Sequence, residues 1–410
     1  MDTQVAVTGI GLVSALGNEL EASFRALVDG TTAVTPLSAE VSGCSGISTA
    51  GLVTDFDEAA VVGRKNVKRS SRYLSFALLA ARRAREDAGL SSAGYAASRV
   101  GSIFGSALGG LGQVADTYLS FQRSGLHGVS PFTLPASITN MAPGVAAIEA
   151  EAKGPCYSIS AGWASSAQAI SDAYETVRSG RADVMIAGGA EAGFSPFVFS
   201  VLARSGQFAR GLPAEQAVQR PFDRGRAGSV ASEGAAVLIL ENLDHARRRG
   251  ANIYALFRGA AVTYASPRRP ETQQSAMTGA MRNAMTDAQL DVTQVDYINA
   301  YGSALEQTDR RETAAVKDVF GEHARSLSLS SNKGAIGHML GASAAFEAAM
   351  TILTLKHGVA PPTANLSEPD AVCDLDFIPG AAREQRFDVA MSNTFSETGH
   401  NVSLIFRAHA

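Results

Sequence analysis

Short apolar runs alternate with longer helical stretches along the whole chain, and after about residue 255 the alternation starts again. Gln4 to Thr8 reads as a buried strand, followed by a glycine-bearing turn at Gly9–Gly11 and a helix near Glu19 to Asp29. Ser70 to Asp87 carries an Ala/Leu face and an Arg face at helical spacing. Val100 to Phe104 is an apolar strand, Ala167 to Ser179 a helix, Asp183 to Ala187 a strand ending at Gly188–Gly189, and Ala235 to Leu240 another strand. The second series has helices at Met277 to Ala288, Asp309 to Phe320 and Ser343 to His357, and strands at Val295 to Ala300 and Val402 to Arg407. Such alternation predicts an α/β fold with mostly parallel or mixed sheets covered by helices. Two halves, 1–255 and 256–410, are expected, with the look of an internal duplication. No linker rich in Pro, Gly or Ser separates them, so one unit is expected.

With 410 residues, 46% of them hydrophobic, the chain can bury a large core. A formal net charge of -4 gives no reason to expect a nucleic-acid or membrane partner. Cys44, Cys156 and Cys373 are far apart and odd in number, which argues against a disulfide framework or a zinc site and fits a reducing compartment. The start MDTQVAVTGIG lacks the basic and apolar regions of a signal peptide, and there is no apolar run of spanning length. A cytoplasmic protein is the expectation. Gly188–Gly189 lacks the Lys and the spacing of a phosphate loop.

Five segments carry the chemical information. They are GPCYSISAGWASSAQAISDAYETVRSGRADVMIAGGAEA from Gly154, RPFDRGRAGSVASEGAAVLILE from Arg220, DYINAYGSALEQTDRRE from Asp296, SSNKGAIGHMLGASAAFE from Ser330 and MSNTFSETGHNVSLIF from Met391. VTGIGLVSALGNE near the start, and GSALGGL and VSPFTLPASITNMAPG further on, join them. In this order they resemble the β-ketoacyl-acyl carrier protein synthases, the condensing enzymes of fatty acid and type II polyketide synthesis. The resemblance runs over essentially the whole chain. It implies the thiolase fold, five layers in αβαβα order built from two similar halves, in a dimeric family. It also implies substrates carried on the phosphopantetheine of an acyl carrier protein, with no cofactor in the chain itself.

The family's chemistry needs a cysteine nucleophile at a buried helix N-terminus, two histidines, a lysine and an acid. By that resemblance, Lys333, its acidic partner Glu312 and His338 are retained. The cysteine position holds Trp163, which has no nucleophilic atom. The first histidine position holds Tyr301, and the phenylalanine that gates the acyl pocket is replaced by Glu397. Loss of all three is similar to the chain-length factors, or ketosynthase β subunits, of type II polyketide synthases. Those subunits pair with a catalytic ketosynthase. Many of them carry glutamine at the cysteine position, so tryptophan departs from the common pattern.

The resemblance implies a non-condensing partner in a heterodimer with a catalytic ketosynthase. The growing chain would enter a tunnel lined by Leu111, Val114 and Tyr118, which share one face at i, i+3, i+7, with Ala115 and Phe121 nearby. Plain core packing is the competing reading of that stripe. Two other functions stay open: a malonyl-carrier decarboxylase working through His338 and Lys333 with a hydrogen bond from Tyr301, and an atypical acyltransferase. Cys156 reads as a small buried thiol rather than a displaced nucleophile. His338 and Lys333 also read as relics satisfying local hydrogen bonds, and His400 faces either pocket or solvent. The run Arg64-Lys65-Asn66-Val67-Lys68-Arg69 reads as a solvated face, or as a dock for an acidic carrier protein.

Overall fold

The computed structural model describes residues 3–90 and 95–409, which leaves Met1 and Asp2 of the leading segment outside the description. Among the described residues ten strands form one sheet in the order Ser328–Ser330, Tyr297–Asn299, Val389–Phe395, His400–Ala408, Ala255–Tyr264, Val5–Val13, Gly234–Asn242, Val184–Glu191, Val100–Gly105, Cys156–Ile159. The sheet divides at a seam where only Val5–Val7 pairs with Ala255–Phe257.

On each side of the seam lie five strands, and the two sets are built alike. Numbered along the chain within each set, the order from edge to seam is third, second, fourth, fifth, first in both. In both, the second strand pairs with the third and fourth in parallel, and the fifth pairs with the fourth and first antiparallel. The helices repeat too. Arg72–Asp87 and Gln273–Ala288 each follow the first strand of their set, and Ser165–Arg178 and Ser343–His357 each follow the third.

The first pair packs outside: Arg72–Asp87 on Val5–Val13 and Gly234–Asn242, Gln273–Ala288 on Ala255–Tyr264 and His400–Ala408. The second pair lies between, each helix touching strands of both sets. This is the five-layered α/β arrangement that the resemblance implies. The middle helix Ser343–His357 is buried from Ser343 through Leu355, which is why its sequence is apolar almost all round rather than striped. One charge, Glu347, sits inside it.

Several expectations change in detail. Gly9–Gly11 is not a turn: the strand runs unbroken from Val5 to Val13. A Cβ on Gly9 or Gly11 would lie 2.3 Å from the Ala84 carbonyl oxygen or 2.1 Å from that of Ala80, so these glycines let helix Arg72–Asp87 press onto the strand. The strand through Gly188–Gly189 likewise continues to Glu191. Cys156 does lie in a strand, but its thiol is exposed rather than buried, because Cys156–Ile159 is the edge strand and has a neighbour on one side only. Arg64, Lys65, Lys68 and Arg69 are exposed, and the Arg69 guanidinium lies 5.0 Å over the Phe132 ring. Among the described residues no helix is long and apolar enough to cross a membrane.

Candidate functional site

The middle helices and the loops after the parallel strands bring the singled-out residues together. Trp163 follows strand Cys156–Ile159 and stands just before helix Ser165–Arg178. Gly162 ahead of it has φ +57°, and a Cβ there would meet Thr398 Oγ1 at 2.3 Å, so the turn is pressed against the 396–398 loop. Trp163 is 9% exposed. Its backbone N–H donates to Ser396 Oγ at 3.3 Å and its indole N–H to Gln207 Oε1 at 2.7 Å. The ring meets Phe208 and His338 edge-on, with centroids 6.3 and 5.9 Å away.

His338 is fully buried, and burial, then the nearby Lys333, hold its pKa well below the usual imidazole range. The ring is therefore neutral. Its Nδ1 accepts the Leu340 backbone N–H at 2.9 Å and faces Ser343 Oγ at 3.2 Å. A backbone N–H can only donate, so the ring proton sits on Nε2. That Nε2–H points to the Tyr301 hydroxyl oxygen, 3.0 Å away. The Tyr301 O–H in turn donates to Glu397 Oε2 at 2.9 Å, and Thr308 donates to Glu397 Oε1 at 3.3 Å. Burial pushes the Glu397 carboxyl upward. Every proton in this line already has an acceptor.

Lys333 is buried beneath. Its ammonium donates to the Tyr301 carbonyl at 2.8 Å, lies 4.3 Å from the centroid of that ring, and contacts Glu347. Its ion-pair partner is thus Glu347, not Glu312. Glu312 instead accepts the backbone N–H groups of Tyr301 and Gly302 at 2.7 and 2.9 Å, fixing the loop that presents Tyr301. The signal for Glu347 was its place as a lone acid in an apolar helix, since a buried carboxylate needs a cation or donors.

Trp163, Tyr301, His338, Lys333, Glu312 and Glu397 therefore form one cluster. Leu111 joins from a different side. It begins helix Leu111–Ser124 and packs, half-buried, against the apolar cluster that contains Trp163, Val198, Phe199, Leu202, Phe208 and Leu340. Val114 and Tyr118 are 44% and 59% exposed, and Phe121 45%, so in the single chain they are not core. His400 is half-buried, edge-on to Tyr264 at 5.1 Å. The described free cysteines are Cys44 and Cys156, both exposed, and Cys373, buried; none takes part in the hydrogen-bonded cluster.

Residues 2–246 match the family described as β-ketoacyl synthase, N-terminal domain, and residues 254–367 match β-ketoacyl synthase, C-terminal domain. The chain belongs to the β-ketoacyl synthase family. It is 37% identical over 404 residues to 3-oxoacyl-[acyl-carrier-protein] synthase 2 of Coxiella burnetii (strain RSA 493 / Nine Mile phase I), covering 98% of each protein. Nodulation protein E of Rhizobium sp. (strain N33) is 36% identical over 408 residues, 99% of this chain and 100% of that one. Among solved structures, the ishigamide ketosynthase/chain length factor superposes with TM-score 0.91 at 27% identity, over 100% of both chains. A β-ketoacyl synthase from Burkholderia phymatum STM815 gives 0.90 at 32%, also over 100% of both. A type II polyketide synthase acyl-carrier protein in complex with its ketosynthase, bound to the hexaketide, gives 0.91 at 29% with the same coverage.

None of the described cysteines lies in the cluster around Trp163, and an indole cannot become a thiolate. An enolate oxygen needs unspent donors. Here the Nε2–H of His338 is spent on Tyr301, and the O–H of Tyr301 on Glu397. The donor expected of Tyr301 in a decarboxylase is thus already engaged.

Proposed function

We propose that this chain is a non-condensing, chain-length-factor type subunit. It pairs with a catalytic ketosynthase in a heterodimer and limits the length of chains elongated on the phosphopantetheine of an acyl carrier protein. The observation that carries the reading is Trp163. It fills the helix N-terminus where the family resemblance puts the nucleophile, and its N–H groups and ring edges are all engaged by neighbours.

The exposed faces support a partner. Val114, Tyr118, Leu119 and Phe121 lie bare on one helix, with Leu126, Leu134 and Ile148 following, more large apolar surface than a chain working alone would leave in water. The ishigamide ketosynthase/chain length factor shares the whole fold. The Lys333–Glu347 pair and the His338 network then serve to hold the scaffold rather than to do chemistry.

The test is co-expression with a ketosynthase that has its cysteine and both histidines. The two chains are expected to co-purify at one-to-one stoichiometry, to elongate carrier-bound substrate together, and to fail when apart. Elongation by this chain alone would refute the reading.

A further inference from the structure

Trp163 and Leu111 belong to one apolar cluster, although they come from different parts of the fold. On one side the Trp163 ring edge meets His338 and its backbone binds Ser396. On the other side the cluster reaches Leu111, Leu108, Val198, Phe199 and Leu202. The indole therefore stands between the loops of the ketosynthase-type site and the first turn of helix Leu111–Ser124. It is held in place by the Gln207 hydrogen bond at 2.7 Å and by Phe208.

Along that helix the exposure falls from Tyr118 at 59%, through Val114 at 44%, to the half-buried Leu111. Seven residues at 1.5 Å each give this helix face a span of about 10 Å, from the exposed Tyr118 to the half-buried Leu111. Its inner end is the Trp163 cluster. We infer that Trp163 is a specificity-determining residue: its indole closes the inner end of the helix face formed by Tyr118, Val114 and Leu111, and it bars an acyl chain laid along that face from reaching His338. The inference rests on the chain-length reading above, and it gives the tryptophan a task beyond the absence of a nucleophile.

A packed interior collapses only partly around a deleted side chain, so removing the indole leaves a cavity, and an apolar cavity of that size accepts small aromatic molecules. Two measurements separate the inference from the reading it rests on. The first uses this chain by itself. Added indole is expected to raise the melting temperature of Trp163→Gly and to leave the wild type unmoved, because a ligand that binds only the native state stabilises it.

The second uses the reconstituted pair with a catalytic ketosynthase. Trp163→Gly is expected to shift products to longer chains, and added indole to shift them back towards the wild-type length. Trp163→Phe, which keeps the apolar packing and deletes only part of the ring, is expected to lengthen them less, and it carries the test if the glycine variant does not fold. A wild-type pair that elongates normally, beside variants that assemble and give the wild-type length distribution with and without indole, would overturn the inference and leave the reading standing. A wild-type pair that neither assembles nor elongates would overturn the reading itself.

Discussion

The Tyr301 hydroxyl donates to Glu397 Oε2 at 2.9 Å, so two side chains from different loops close one hydrogen-bonded line with His338. Thr308 donates to the other carboxylate oxygen, so both oxygens of Glu397 are held.

Deleting this bond should cost stability. Tyr301→Phe leaves the Nε2–H of His338 without an acceptor and removes a donor from Glu397, in a site where Tyr301 is fully buried. The expected loss is about 1–3 kcal/mol, read from urea unfolding. A variant as stable as the parent would show that neither bond matters.

The isolated chain should carry no acyl group. The Cys156 thiol, though exposed, has its pKa pushed up by partial desolvation, and burial pushes Cys373 up to about 11. Both stay protonated and poorly nucleophilic at neutral pH. Mass spectrometry after incubation with acyl carrier thioesters should find unmodified protein, and a stable adduct on any cysteine would contradict this.

Trp163→Cys alone should not restore condensation. The new thiol would still face Tyr301, and the one histidine of the cluster would still have its Nε2–H engaged. Groups that act as a unit are not rescued singly. Turnover by the single variant above the parent's background would refute the account of the site.

In the proposed heterodimer, Tyr118→Ala should lengthen products and Leu111→Trp shorten them. Tyr118 lies on the exposed outer part of helix Leu111–Ser124 and Leu111 at its inner end. The condensation rate should change little, since the proposed nucleophile is the partner's. Product profiling, with assembly checked by gel filtration, decides it; unchanged lengths from intact heterodimers would remove this helix from the tunnel.

Stability should peak on the acid side of neutrality. Burial raises Glu191 and Asp309 to about 7 and Glu312 to about 8. Such groups keep their protons folded while the unfolded chain releases them near pH 4. Their contribution is full below that value and is lost as pH rises through 7 to 8. Asp370, held at about 2 by the Val372 backbone N–H and then by Arg226 and Arg310, contributes above pH 4 and loses it as pH falls towards 2. Urea midpoints should therefore fall between about pH 6.5 and 8, above the range in which the depressed His338 works in the opposite sense. A rise over that window would reverse the assignment.

The α/β class and most elements were legible because periodicity and length decide them locally. The helices at Ser343–His357 and Ser165–Arg178 lie where the spacing predicts, within two residues. What escaped depends on neighbours. Whether Cys156 is covered is a matter of which strand ends the sheet. Whether Gly9 and Gly11 bend or flatten the chain is decided by a helix some 70 residues on. The partner of Lys333 could have been either acid, and only the packing of helix Ser343–His357 under the Tyr301 loop selects Glu347 over Glu312. The likeness of the two halves is faint in the residues but plain in the strand order, because pairing and order follow from the pattern of strands and helices rather than from particular side chains.

Trp163, Tyr301 and Glu397 all sit in loops just past strand ends, outside the two sets of strands and the helices packed on them. Exchanges at such places change what a site can offer to a substrate while the elements that carry the fold, and the surface they present, stay as they are.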